Sequence, residues 1–185
     1  MSLFKTLFVA VQYLLPHHLL SRWLGRLTHC RNRVVKSTLI QGFSRLYRVD
    51  LSEARFADPE QYDCFNAFFT RALAPDVRPL GEGLLSPADG VVSQSGHLDD
   101  GQLLQAKGKH YDLIRLLGGS AERAEPFRQG QFMTIYLSPR DYHRLHMPVE
   151  GRLREMILVP GRLFSVNQTT CQQVPDLYAR NERVV

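Results

Sequence analysis

The sequence predicts an α+β fold, in which amphipathic helices up to about residue 78 precede a mostly antiparallel, partly barrel-like β domain. Two observations predict it. Apolar residues recur at helical spacing through the first part of the chain. From Leu84 onward the pattern changes to short β-rich pieces separated by glycine and proline. With 185 residues and 44% hydrophobic content, we expect one globular domain with a helical appendage.

Helices are predicted before and after Pro16, and a third over residues 32–47. The first has an apolar face that comprises Phe4, Phe8, Val11 and Leu15. Its apolar run, residues 7–15, is much shorter than the ~20 residues that a spanning helix needs, so we expect a helix lying in the plane of a membrane. An ordinary helix packed on the core is the alternative. A signal peptide would require a small-x-small cleavage site, which does not follow.

The charge distribution points to a partner for this segment. Residues 1–48 hold eight basic residues and no acidic one, so the net charge of +5 comes entirely from this end of the chain. Leucine, phenylalanine and the single Trp23 accompany these charges, and such a mixture favours an anionic lipid surface over nucleic acid. We therefore predict two parts: residues 1–48, basic membrane-associating helices, and residues 49–185, the catalytic domain.

The catalytic domain begins with two short helices. Asp50 and Glu53 suggest a capping box, and Asp63 precedes a phenylalanine-rich face that is more typical of core packing than of a ligand site. Strands are predicted at residues 91–95, 103–107, 132–137 and 153–159, with a helix at 111–117.

Residues 136–148, Tyr-Leu-Ser-Pro-Arg-Asp-Tyr-His-Arg-Leu-His-Met-Pro, combine two histidines, two arginines and an aspartate. Ser138 and the following proline resemble a capped helix start. His143 and His146 would then share one face of a helical turn and could act on a single substrate. A chance pair of surface histidines or half of a metal site remain alternatives.

Metal is the weaker of these alternatives. His-x-x-His needs further ligands, and the three cysteines (30, 64 and 171) show no Cys-x-x-Cys spacing. Unpaired cysteines also favour a reducing compartment.

Asp89 lies in a second candidate segment, Ser-Pro-Ala-Asp-Gly at residues 86–90. Pro and Gly brackets usually indicate only a β-turn in which the aspartate bonds its own backbone. The functional alternative is a carboxylate that orients one of the histidines and stabilises its imidazolium.

Together these segments resemble bacterial-type phosphatidylserine decarboxylases. The resemblance rests on residues 65–71 (Phe-Asn-Ala-Phe-Phe-Thr-Arg), 86–90, 104–108 (Leu-Gln-Ala-Lys-Gly), 136–148, 159–167 (Val-Pro-Gly-Arg-Leu-Phe-Ser-Val-Asn) and 179–183 (Ala-Arg-Asn-Glu-Arg). These segments occur in the family's order and span essentially the whole chain.

The resemblance implies a pyruvoyl-dependent carboxy-lyase that converts phosphatidylserine to phosphatidylethanolamine and CO2 through a Schiff base. The family cuts itself at Leu-Gly-Ser-Thr, and that serine becomes the pyruvoyl group of a small α chain. Asp89 and His146 match the relay that activates the serine, and His143 matches the histidine of the decarboxylation step. Ser165 and Asn167 match a segment for which substrate contact is expected. No metal is implied.

Leu-Gly-Ser-Thr does not occur in the 185 residues. We therefore expect an amino-terminal portion of the proenzyme that is inactive alone and pairs with its own α chain. The resemblance further suggests a peripheral protein on the cytoplasmic face of the bacterial membrane, bound to anionic lipids, and a homodimer. Two other classes remain: a metal-dependent hydrolase that uses Asp89, His143 and His146, and a non-catalytic membrane-binding remnant.

Overall fold

The structure is a computed structural model that describes residues 3–98, 100–106 and 108–185, and it confirms the α+β class. The helices are α1 (Leu3–Leu14), α2 (His17–Thr28), α3 (Arg33–Tyr47), α4 (Phe65–Phe69), α5 (Leu113–Leu116), α6 (Ala121–Ala124), α7 (Gln168–Gln173) and α8 (Leu177–Arg180), with 3-10 turns at Pro59–Gln61 and Glu125–Phe127. The strands are β1 (Val91–His97), β2 (Gln102–Ala106), β3 (Lys109–Asp112), β4 (Gln131–Tyr136), β5 (Leu158–Val159) and β6 (Arg183–Val184).

The described strands form two-stranded sheets. Strand β1 pairs with β4, while β2–β3 and β5–β6 are antiparallel pairs. In the β2–β3 pair, Leu103 lies opposite Tyr111, and the register shifts between Leu104 and Ala106. The barrel-like arrangement of these strands remains a prediction.

The chain divides into two compact units that are interleaved in sequence. One contains the described part of Met1–Ser21 with Val92–Thr134 and Leu153–Val185, and the other contains Arg22–Val91 and Ile135–Arg152. We call them the first and second units. The expected division into residues 1–48 and 49–185, with the membrane role of the first part, stays a prediction.

Each unit has its own apolar core. The first unit has two clusters of buried residues, one of Leu98, Leu103, Tyr111, Leu113 and Ala124 and one of Val9, Phe164, Val174 and Leu177. The second unit is built on Ile40, Tyr62 and Phe68, around which further aromatic rings pack edge to face. Ile40 and Phe68 are fully buried, so α3 and α4 are held together mainly by removal of apolar surface from water.

Helix α1 buries only a narrow face. Val9 and Gln12 face the core of the first unit, whereas the apolar arc on the other side is exposed and comprises Leu3, Phe4, Leu7, Phe8, Val11 and Leu14. None of the helices in the described part of the chain combines the length and hydropathy that crossing a bilayer requires.

Several element predictions are confirmed by local chemistry. Helix α3 begins where expected because the Asn32 side chain accepts the amides of Val34 and Val35. The strands predicted near residues 91, 103 and 132 are present, although Lys107 lies outside the described residues.

Other element predictions are wrong. The strand predicted over residues 153–159 is reduced to Leu158–Val159, because only there does β6 supply a pairing partner. The helix expected from Tyr111 begins at Leu113, since Tyr111 pairs in β3 and Asp112 caps the helix. No helix follows Asp50, whose carboxylate instead accepts the Ser52 amide at 2.8 Å.

A buried amide joins β2 to the α7–α8 connection in the first unit. The Gln105 side chain is 1% exposed and donates to the carbonyls of Cys171 and Val174, both at 2.8 Å. Its oxygen accepts the Leu177 amide at 2.7 Å. Three buried main-chain groups are therefore satisfied by one side chain.

Gln105→Leu should lower the free energy of unfolding by about 3 kcal/mol or more, because it leaves these three main-chain groups buried without partners. Urea denaturation of the full-length protein measures it. Gln102→Leu, at an exposed position of the same strand, is the control and should change stability little. Equal effects of the two substitutions would contradict this account.

Candidate functional site

The segment that follows β4 is a tight turn and then irregular chain, so the predicted helix is wrong. The Asp141 amide donates to the Ser138 carbonyl at 2.9 Å, and the Ser138 amide donates to the Asp141 carboxylate at 2.6 Å. The Asp141 carboxylate thus accepts a main-chain amide that precedes it in the chain. The Ser138 hydroxyl, which was expected to cap a helix, is buried without a partner among the described residues. Consequently His143 and His146 do not share a helical face.

His143 lies in an aromatic environment of the second unit. Its ring stacks on Phe69, with ring centroids 4.2 Å apart and planes 21° apart. Nε2 is buried and has no hydrogen-bond partner in the described part of the chain. Burial lowers the pKa of His143; the Arg71 charge acts in the same direction, and hydrogen bonding to the main chain at Pro139 opposes it. The His143 imidazole is therefore neutral, and its Nε2 atom can still form a hydrogen bond.

His146 is exposed and has different neighbours. Its Nε2 lies 2.9 Å from the Tyr142 hydroxyl, and the two rings stack with centroids 5.6 Å apart. The His146 main-chain amide donates to the Pro87 carbonyl at 2.9 Å. This bond joins residues 136–148, which we call the histidine segment, to the turn that bears Asp89.

Asp89 is paired with an arginine that sequence reasoning missed. One carboxylate oxygen accepts Arg78 Nε at 2.9 Å and Nη2 at 2.6 Å, and Nη2 also donates to Glu53 at 2.7 Å. Hydrogen bonds to these two carboxylates raise the pKa of Arg78 above its ordinary value. Asp89 and His146 do not hydrogen-bond to each other in this structure. The two side chains nevertheless line one cleft, described below.

Gly90 explains the close approach of the Asp89 turn to the end of β4. A Cβ atom at this position would lie 2.6 Å from the Tyr136 carbonyl oxygen and 2.9 Å from a methyl carbon of Ile135. Only glycine allows this contact without displacement of the backbone. The turn that carries Asp89 is therefore held against the strand that leads into the histidine segment.

Two arginines hold the histidine segment in place, and neither was nominated from the sequence. Arg71 is 5% exposed, and its Nη2 donates to the carbonyls of Arg140 and Asp141 at 2.9 and 3.4 Å. In the opposite direction, Arg144 Nε donates to the Thr70 carbonyl at 2.8 Å. In the sequence, the only signal for Arg71 was its place at the end of the Phe-Asn-Ala-Phe-Phe-Thr-Arg segment.

Two clefts of the second unit are lined by several of the residues described above. One of about 450 Å³ is lined by Arg48, Asp50, Glu53, Ala54, Arg71, Leu73, Arg78, Asp89, Gly90, Val91, Tyr136, Ser138, Arg140, Asp141 and Tyr142. The other, of about 470 Å³, is lined by Ala72, Leu73, Ala74, Asp76, Val77, Arg78, Pro79, Leu80, Leu85, Ser86, Ala88, Asp89, Tyr142, His146 and Met147. We call the latter the relay cleft, because it contains both Asp89 and His146.

Ser165 and Asn167 belong to the first unit. The Ser165 amide and hydroxyl donate to the Gln12 side-chain oxygen at 2.9 and 3.0 Å. The Asn167 oxygen accepts the amides of Thr169 and Thr170 and so caps α7, while its nitrogen donates to the Ser165 hydroxyl at 3.1 Å. Asn167 therefore has a structural role, and its expected contact with substrate stays a prediction.

Asp89, His143 and His146 do not form a metal-binding group. Among the described residues no three histidine, cysteine, aspartate or glutamate side chains are grouped so that they could hold an ion. The three cysteines are not joined in disulfides.

Comparison with known proteins agrees with the resemblance noted in the sequence. A family profile described as phosphatidylserine decarboxylase matches residues 65–185, and a second, described as PSD, matches residues 7–48. The chain is 59% identical over 184 residues to the phosphatidylserine decarboxylase proenzyme of Ectopseudomonas mendocina (strain ymp), covering 98% of the chain and 64% of that protein.

Two further relatives are phosphatidylserine decarboxylase proenzymes. That of Bordetella pertussis is 60% identical over 181 residues, 96% of this chain and 61% of the relative, and that of Pseudomonas aeruginosa is 57% identical over 188 residues, 100% of this chain and 65% of the relative. The chain thus spans between 61% and 65% of the length of these curated relatives. Since the profile covers most of its residues, the chain belongs to the phosphatidylserine decarboxylase family.

Proposed function

We propose that the protein to which these 185 residues belong decarboxylates phosphatidylserine to phosphatidylethanolamine and CO2. The observation that carries the proposal is the 57–60% identity, over nearly the whole chain, to proenzymes of that name. Proposals of a metal-dependent hydrolase or a non-catalytic remnant have no comparable support. The name proenzyme also supports self-cleavage into two chains, of which the small α chain is the partner.

We infer that the cofactor is a pyruvoyl group made from a serine of the α chain, and membership of a family of decarboxylase proenzymes supports this. When present, a pyruvoyl carbonyl supplies an electron sink for the α carbon that loses CO2. The residues fit such a group. His143 has a buried nitrogen without a partner among the described residues, and the relay cleft offers space beside Asp89, Tyr142 and His146.

The roles proposed for the three polar side chains are those that the family resemblance implies. We propose that His146 takes the proton of the serine hydroxyl during self-cleavage and that Asp89 holds the imidazole and stabilises its charge. The Nε2 atom of His146 already faces a hydroxyl, that of Tyr142. His143 would position the substrate carboxylate through a ring N–H or, after taking up a proton, donate that proton to the α carbon. Ser165 and Asn167 would contact substrate.

The remaining proposals concern the setting of the enzyme. Residues 1–48 would bind anionic lipids at the cytoplasmic face of the membrane as a peripheral segment, and residues 49–185 would form the catalytic domain. Within it, the two-stranded sheets would join into the partly barrel-like sheet when the α chain is present. A homodimer is also proposed.

His143→Ala in the full-length proenzyme should permit self-cleavage and lower decarboxylation by a factor of about 10² or more. A positioned acid–base group contributes about 10²–10⁴-fold, and this histidine is assigned to substrate chemistry alone. Gel analysis for two chains, together with conversion of labelled phosphatidylserine, separates the two steps. His110→Ala, at an exposed position, is the control and should retain both steps. An uncleaved His143→Ala protein would mean that the roles of the two histidines are exchanged.

Asp89→Ala and His146→Ala should each leave the full-length proenzyme as one uncleaved chain, and the double variant should be no worse. Members of a relay act as a unit, so their losses are strongly non-additive. The time course of cleavage on gels measures all three variants.

Glu53→Gln is the matched control, because it removes a carboxylate from the same Arg78 and leaves Asp89 in place. It should cleave. If losses at Asp89 and His146 multiply, the two residues act independently and the relay is wrong.

A further inference from the structure

A third cleft, with an unusual charge balance, lies within the first unit at the end of α1. It has a volume of about 430 Å³ and is lined by Tyr13, Arg115, Arg162, Phe164 and Arg180. We call it the arginine cleft. None of these residues belongs to the groups assigned to cleavage or decarboxylation above.

The arginines of this cleft outnumber the carboxylates that neutralise them. Arg115 pairs with Asp176. Arg162 donates instead to a neutral group, the Tyr13 carbonyl, at 2.7 Å. The Arg180 guanidinium makes no hydrogen bond or ion pair with another described residue. Among the described residues, only one of these three guanidinium groups is therefore paired with a carboxylate.

A fourth arginine adds to the positive charge beside the cleft. Arg183 donates to the carbonyls of Leu116 and Ala179 at 2.7 and 2.9 Å and also to that of Arg115. Burial, together with the charge of Arg115, lowers the pKa of Arg183 below its ordinary value. Like charges placed together at partly buried positions destabilise one another, and a bound anion removes that cost.

The floor of the cleft is rigid. Phe164 is 4% exposed and packs in the core with Val9 and Val174. The Tyr13 ring meets it edge to face at 4.8 Å, and the Arg162 guanidinium lies 5.6 Å from its centroid. A guanidinium held in this way is well suited to bidentate contacts with phosphate oxygens.

The adjoining helix indicates which phosphate compound fits. The Tyr13 carbonyl that binds Arg162 belongs to the last turn of α1, and the same helix exposes its apolar arc, with Leu3 84%, Leu7 59% and Leu14 85% exposed. A cationic cleft at the end of an exposed apolar helix matches a molecule with an anionic phosphate and acyl chains.

We propose that the arginine cleft binds the phosphate group of an anionic phospholipid while the exposed arc of α1 lies among the acyl chains. The proposal rests on the proposed phospholipid enzyme and adds a lipid-binding site that is independent of the decarboxylated substrate. Phosphatidylglycerol is a suitable probe because it has no carboxyl group to lose.

The test uses the full-length protein and flotation with phosphatidylcholine vesicles, with and without phosphatidylglycerol. Arg115→Gln/Arg162→Gln/Arg180→Gln should lower affinity for the phosphatidylglycerol vesicles at least tenfold. Arg55→Gln/Arg152→Gln/Arg154→Gln, which removes equal charge at exposed positions outside residues 1–48 and outside the cleft, should lower it less than threefold. The Arg180 side chain bonds to no other described residue, so Arg180→Gln should fold normally, and about fivefold loss of affinity is expected from one arginine near the surface.

Four outcomes would overturn the site. Equal losses in the two triple variants would mean unspecific surface charge, and unchanged affinity in Arg180→Gln and the cleft triple variant would mean that the cleft takes no part. Equal binding of the wild-type protein to neutral vesicles would remove the requirement for an anion. Calorimetric binding of inorganic phosphate that depends on the three arginines, with vesicle affinity unaffected, would assign the cleft to a soluble phosphate.

Decarboxylation of phosphatidylserine by the wild-type protein is measured separately, so that failure of the proposed function is distinguishable from failure of the cleft.

Discussion

The candidate site depends on the reciprocal hydrogen bonds between residues 70–71 and the histidine segment. Residues 142–147 have neither helix nor sheet to satisfy their main-chain groups. Arg71 is buried, has no carboxylate partner among the described residues and donates to two carbonyls of the turn, while Arg144 donates to the Thr70 carbonyl. Burial lowers the pKa of Arg71, but a guanidinium retains its proton at any physiological pH. The charge is therefore permanent, and these bonds hold the turn that leads into His143 beside the helix end that bears Phe69.

This arrangement shows why the sequence predicted some elements and not others. Helix α3 and strand β1 follow from signals within a few residues: apolar residues at helical spacing in one case and β-branched valines after a turn in the other. The segment after β4 has an equally clear cap signature, yet its aspartate accepts the Ser138 amide and its carbonyls bind an arginine about 70 positions away. Local propensity is overridden wherever a distant group satisfies the backbone better.

The same distinction applies to the site residues. Two histidines close together, and an aspartate between turn residues, are visible in a sequence because these residue types are common in catalytic sites. Arg71 and Arg78 are two of many arginines, and only the folded chain reveals that one binds carbonyls and the other two carboxylates. The two histidines also proved to have separate environments, one desolvated by Phe69 and the other stacked on Tyr142. Such a difference arises from tertiary packing, which spacing along the chain does not encode.

The pairing of Asp89 with Arg78 raises the question of how this carboxylate could also serve His146. The side chains of Asp89 and Arg78 are 35% and 43% exposed, and ion pairs at such positions contribute only about 0–1 kcal/mol to stability. Both bonds use one carboxylate oxygen, Oδ2, so Oδ1 remains available without breaking the pair. A contact with an imidazolium, which forms only when the histidine takes a proton, is a charge-assisted bond of greater strength than a neutral one. Arg78 therefore orients Asp89 at the relay cleft without competing strongly for it, and the proposed relay would require only side-chain movement around a turn that Gly90 holds against β4.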